Sequence, residues 1–148
     1  MKNNDTSDSN FISVVGYGTF ITLDHWKNKF NVEVCTVNNF TRIFPRNSWF
    51  PYALKSSGSF KALKFDVTKE EIKILDKIEG VNNGLFKRVM VDILLKNSRS
   101  SSAFMYVPTE ETIASQKLSL ESDKIDRWKE EIKKRPEIVR KFPDLLYD

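Results

Sequence analysis

The residues able to do chemistry in this chain are few and fall in short stretches. Val14 to Phe20 reads VVGYGTF, an apolar run that breaks into Gly16-Tyr17-Gly18-Thr19, so two of the chain's five glycines lie within three residues. Glycine permits a tight turn and lets another group come close to the backbone amides. Amides left over at a helix start form a site for a carboxylate or phosphate. The plainer alternative is a glycine-rich turn with Tyr17 packed as core. A phosphate loop would need a lysine at a set spacing, and G-x-G is too short for a dinucleotide fingerprint.

Glu79 is the second candidate. It closes a helical stretch and stands directly before Gly80. A carboxylate there meets the unfavourable end of the helix dipole. If partly buried, its pKa rises toward the range of a general base. A solvated helix-end glutamate is the alternative. Third comes Phe86-Lys87-Arg88. On a strand Phe86 and Arg88 share a face, so Arg88 either lines a site or pairs with Asp76 or Glu79. His25 reads as a helix-surface side chain, Cys35 as a small core hydrophobe, and Trp128 as a docking residue.

Composition narrows what these residues can do. The chain has 148 residues, 40% of them hydrophobic and 12% aromatic, which suits one globular domain. One cysteine excludes an internal disulfide and a multi-cysteine zinc site, and one histidine leaves few parts for a histidine-based metal centre. Catalysis must then run mainly on carboxylates, hydroxyls or backbone, and neither a cofactor nor a metal is expected. A net charge of +4, from 24 basic and 20 acidic residues, is too mild to call nucleic acid a partner. No run reaches the roughly 20 apolar residues of a membrane helix, and MKNNDTSDSN lacks the apolar stretch of a signal peptide, so cytoplasmic residence is expected.

The elements that must position these groups follow from periodicity. Residues 1–10 read as a disordered polar tail, and 11–148 as a single domain. FISVVGYG is a central strand, and FITLDHWKNKF, with Phe20, Leu23, Trp26 and Phe30 in step, is a short helix. VEVCTVNNFTRIF is a strand. Beyond Pro45 and Pro51, SSGS is expected to turn between two short strands, YALK and FKALKFDV. TKEEIKILDKIEG is a helix with Ile72, Leu75 and Ile78 on one stripe, a Thr68/Glu71 capping box and a stop at Gly80. A long strand from Phe86 and an antiparallel partner, SAFMYVPT, follow. The C-terminal third is helical, with Ile125, Trp128 and Ile132 on one side and a second short helix between Pro136 and Pro143. This order argues α+β with a mixed or antiparallel sheet curled into a small β-barrel with flanking helices.

VVGYGTF, then FP-Y, then LDKIEG followed by FKR and VMVDI, resembles the gamma-glutamylcyclotransferase-like family over Val14 to Val107. That family has an early Y-G-[ST] and a later L-D-x-x-E-G, leading to an aromatic, often within Tyr-x-Arg. The resemblance implies that the Tyr17, Gly18, Thr19 and Phe20 loop holds a glutamyl carboxylate and amine, and that Glu79 is the acid/base. It adds Phe86 and Arg88 to the substrate site, with Phe86 where the family often has Tyr. It implies an acyltransferase or lyase releasing 5-oxoproline from a gamma-glutamyl amine or peptide. A catalytically weak small-ligand binding module of the same fold is the alternative, motivated by Phe86. A third reading makes the Lys124 to Arg140 helices a basic interaction surface.

Overall fold

Alternating side chains on five strands close a barrel. In the computed structural model, which describes residues 11–121 and 127–147, the strands are β1 (Phe11–Gly16), β2 (Phe30–Ile43), β3 (Tyr52–Thr68), β4 (Phe86–Leu94) and β5 (Ser100–Pro108). They hydrogen-bond in the order β1-β3-β2-β4-β5. Every pairing is antiparallel except that of β1 with β5, which is parallel and closes the barrel. Inward residues follow the two-residue period of a strand. Val91 and Ile93 of β4, Ala103 and Met105 of β5, and Cys35 and Val37 of β2 are buried together inside. The expectation of a mixed barrel with flanking helices is met.

The middle of the chain departs from expectation. YALK and FKALKFDV are one 17-residue strand, and SSGS does not turn the chain. Pairing with β2 carries the strand through: Asn38 faces Ser59 and Phe40 faces Lys55, which sets Ser56, Ser57 and Gly58 against Asn39 alone. The polar run is therefore a bulge. Thr41 Oγ1 and Ser56 Oγ lie 2.6 Å apart across it, and a Cβ at Gly58 would come within 2.7 Å of that Thr41 oxygen.

The helix expected over FITLDHWKNKF is also broken. α1 covers only Thr19–Thr22, Asp24 takes a left-handed φ of 61°, and a single 3-10 turn spans His25–Asn28. α2 (Lys69–Ile78) begins as expected: Thr68 Oγ1 accepts from the Glu71 amide at 3.1 Å, and Glu71 Oε1 accepts from the Thr68 amide at 3.0 Å. Gly80 then ends it at φ +69°, a conformation that favours glycine. α3 (Glu110–Gln116), α4 (Arg127–Lys133) and α5 (Pro136–Lys141) follow. Ile125 and the polar tail at 1–10 lie outside the described residues.

The C-terminal helices cover the outside of the barrel. Trp128, Ile132, Ile138 and Leu145 are buried with Ile21, Trp26 and Leu63. Arg127 donates to the Phe44 carbonyl at 2.9 Å and to the Pro45 carbonyl, with its guanidinium 4.3 Å from the Phe44 ring centroid. Because Ile21 belongs to α1, this layer packs directly behind the turn that follows VVGYG.

Candidate active site

A cavity of about 360 Å³ opens at the end of β1. Tyr17, Gly18, Thr19, Phe20, Glu79 and Phe86 all line it. Residues 62 positions apart in sequence thus meet because α2 returns along the barrel to the end of β1. Arg88 is the exception among the expected site residues and does not line the cavity.

The two glycines work by absence of bulk. A Cβ on Gly16 would stand 2.4 Å from Phe20 Cδ2, and one on Gly18 would stand 3.0 Å from Pro51 Cδ. Phe20 thus folds back over β1, where its ring stacks on Phe65 at 3.9 Å. Pro51, of the FP-Y stretch, lies on the other side of the loop. Within α1 the amides of Ile21 and Thr22 both donate to the Gly18 carbonyl, at 2.9 and 3.3 Å. Those of Thr19 and Phe20 precede them at the helix start, where no intrahelical acceptor exists.

Glu79 is the C-cap of α2 and half-buried. Burial raises its carboxyl from 4.5 to about 6. A carboxylate with that pKa exchanges a proton near neutrality, as a general base must. Its negative charge, after burial, also raises the Tyr17 phenol above its ordinary value.

Tyr106 lines the same cavity, and sequence reasoning missed it. The parallel pairing of β1 and β5 brings it beside Tyr17, whose hydroxyl donates to the Tyr106 carbonyl at 2.7 Å. The Tyr106 hydroxyl donates to Asp76 Oδ1 at 2.6 Å. Arg88 Nε holds that same oxygen at 3.1 Å, and Arg88 Nη2 reaches Oδ2 at 3.3 Å. Asp76 is therefore the partner of Arg88, chosen from the two the sequence left open. Asp76 lies three residues before Glu79 in LDKIEG, one helical turn back on the same face. That spacing was the available signal for Asp76, though not for Tyr106. Phe86 lays its ring parallel to Tyr52, with centroids 5.9 Å apart. His25, expected at a helix surface, stands exposed at the cavity and edge-on to Phe20. Among the described residues, no three or more His, Cys, Asp or Glu side chains stand together as a metal site.

The family profile described as gamma-glutamyl cyclotransferase, AIG2-like, matches residues 14–130. The chain belongs to this family. Its barrel resembles a solution structure from Arabidopsis thaliana at TM-score 0.63 and 18% identity, covering 93% of this chain and 91% of that one. A second Arabidopsis thaliana solution structure gives TM-score 0.64 at 19% identity, covering 90% and 82%. A yeast gamma-glutamyl cyclotransferase specific to glutathione gives TM-score 0.57 at 12% identity, covering 90% and 89%. At such identities these likenesses speak for the fold. Comparison with curated protein sequences finds no match.

Proposed function

We propose that this protein is a cyclotransferase releasing 5-oxoproline from a gamma-glutamyl amide, with Glu79 as its acid/base. The observation that carries this reading is that the Tyr17–Phe20 loop and a carboxyl raised to about 6 line one cavity. Family membership over residues 14–130 supports it.

The chemistry suits so small a set of parts. The substrate's α-ammonium gives a proton to Glu79, and the freed amine attacks the γ-carbonyl carbon. A carbon–nitrogen bond forms and closes a five-membered lactam. The bond from that carbon to the departing nitrogen then breaks, and the departing amine takes the protons the attacking nitrogen has lost. No water is consumed, and no protein nucleophile is required. Holding amine and carbonyl together supplies a large proximity effect. The loop amides grip the α-carboxylate, and the buried Tyr17 and Tyr106 fix the walls around Glu79.

The identity of the product tests the reading. Incubation with gamma-glutamyl amides in heavy-oxygen water is expected to give 5-oxoproline without the label. Labelled free glutamate would mark a hydrolase instead. Ligand-induced thermal stabilisation with no product would favour the binding module that Phe86 raised.

A further inference from the structure

The mouth of this cavity is apolar to a degree the cyclisation does not require. Leu23, Trp49, Ile78 and Leu85 are 52%, 73%, 64% and 51% exposed, and all four line it. They come from separate places: beyond α1, between β2 and β3, the end of α2, and just before β4. Exposed apolar residues scattered singly are ordinary, but convergence on one opening marks a binding surface. Ile78 is the clearest instance. It continues the stripe of Ile72 and Leu75, yet Ile72 is buried while Ile78 runs past the core onto the rim.

One wall is also aromatic. Trp49 meets Phe50 at 5.1 Å between centroids, and Tyr52, behind the lining, joins Phe50 at 5.1 Å to Phe86 at 5.9 Å. Charge is scarce around the opening. Among the described residues that line the cavity, Glu79 is the one carboxylate, and neither lysine nor arginine is present. A departing group with its own carboxylate would find no lysine or arginine there, only the exposed imidazole of His25. One with a second ammonium would compete for Glu79.

We propose that the amine released is an apolar aryl or alkyl monoamine, lying against Trp49, Ile78 and Leu85, rather than an amino acid, a peptide or a diamine. This rests on the cyclotransferase reading for the glutamyl half of the substrate. The apolar wall contributes through water removed from ring and chain, an effect of about tenfold or more for each well-fitted group.

The test compares 5-oxoproline release from the gamma-glutamyl derivatives of phenethylamine and butylamine with release from those of glycine and putrescine. The full chain should show kcat/KM at least tenfold higher for the first pair. Trp49→Ser and Ile78→Ser should each cut that ratio severalfold. Both positions are largely exposed, so the fold should tolerate the changes. Equal or faster turnover of the glycine or putrescine derivative would overturn the inference and leave the cyclotransferase reading standing. No 5-oxoproline from any of the four would overturn that reading instead. Calorimetric binding of the same compounds to the unaltered protein then decides the inference. Phenethylamide binding at least tenfold tighter than the glycine derivative upholds it, and equal or absent binding overturns it.

Discussion

Glu79 carries the account at the residue scale, and its pKa has consequences of definite sign. Its folded pKa of about 6 lies above the 4.5 of an ordinary glutamate because burial disfavours its charge. The stability associated with its neutral form is fully present below about 4.5 and is lost as pH rises through about 6. Ionised Glu79 therefore costs stability at neutral pH, and Glu79→Gln should stabilise the fold there. One pKa unit corresponds to about 1.4 kcal/mol, and solvent reaching a half-buried group reduces the effect, so a gain of about 1 kcal/mol is expected in urea titrations at pH 7.5. That gain should vanish at pH 4. The Tyr106 hydroxyl offers a second residue-level check. Tyr106→Phe removes a 2.6 Å hydrogen bond to the charged Asp76. It should cost about 1.5–3 kcal/mol in the same measurement.

Among the elements, α2 and its cap decide where Glu79 stands. Gly80 takes φ +69°, and a Cβ there would also meet Leu85 Cδ1 at 2.9 Å. Gly80→Ala should therefore cost about 1–2 kcal/mol of stability and lower kcat by displacing its neighbour, both read by urea titration and steady-state kinetics. The helix was legible in sequence because its signals are local. Thr68, Glu71 and Gly80 satisfy or stop the backbone within a few residues of themselves. SSGS misled for the opposite reason: its composition is that of a turn, but fourteen-residue β2 lies alongside and supplies partners on both sides of it. Likewise the stripe Phe20, Leu23, Trp26 and Phe30 has helical spacing, yet the chain breaks at Asp24 and Leu23 faces the cavity instead of the core.

At the scale of the whole molecule, the cavity depends on three layers meeting at the end of β1. The barrel brings Tyr106 beside Tyr17, α2 brings Glu79, and the C-terminal helices bury Ile21 behind the loop. None of this is local. The pairing of β1 with β5 spans some 90 residues, and no spacing in the sequence announces that Tyr106 lines the cavity. Glu79 and VVGYGTF stood out as candidates by residue type and position, but only the resemblance joined them into one site. Arg88 was read into the site by resemblance, and the fold places it one step back, on Asp76. The C-terminal layer should matter to both stability and binding. Trp128 is 1% exposed and packs with the helices behind α1. Trp128→Ala should cost about 3–5 kcal/mol in urea, with KM raised more than kcat is lowered because the loop loses its backing.

The most direct measurement of the central claim is 5-oxoproline formation by the unaltered protein and by Glu79→Gln across pH 5 to 8. The account predicts that kcat/KM of the unaltered protein falls on the acid side with a midpoint near 6, as the base takes up its proton. Glu79→Gln should lose at least about a hundredfold in kcat at pH 7.5 while remaining folded. A Glu79→Gln protein with undiminished turnover and the same acid limb would contradict it.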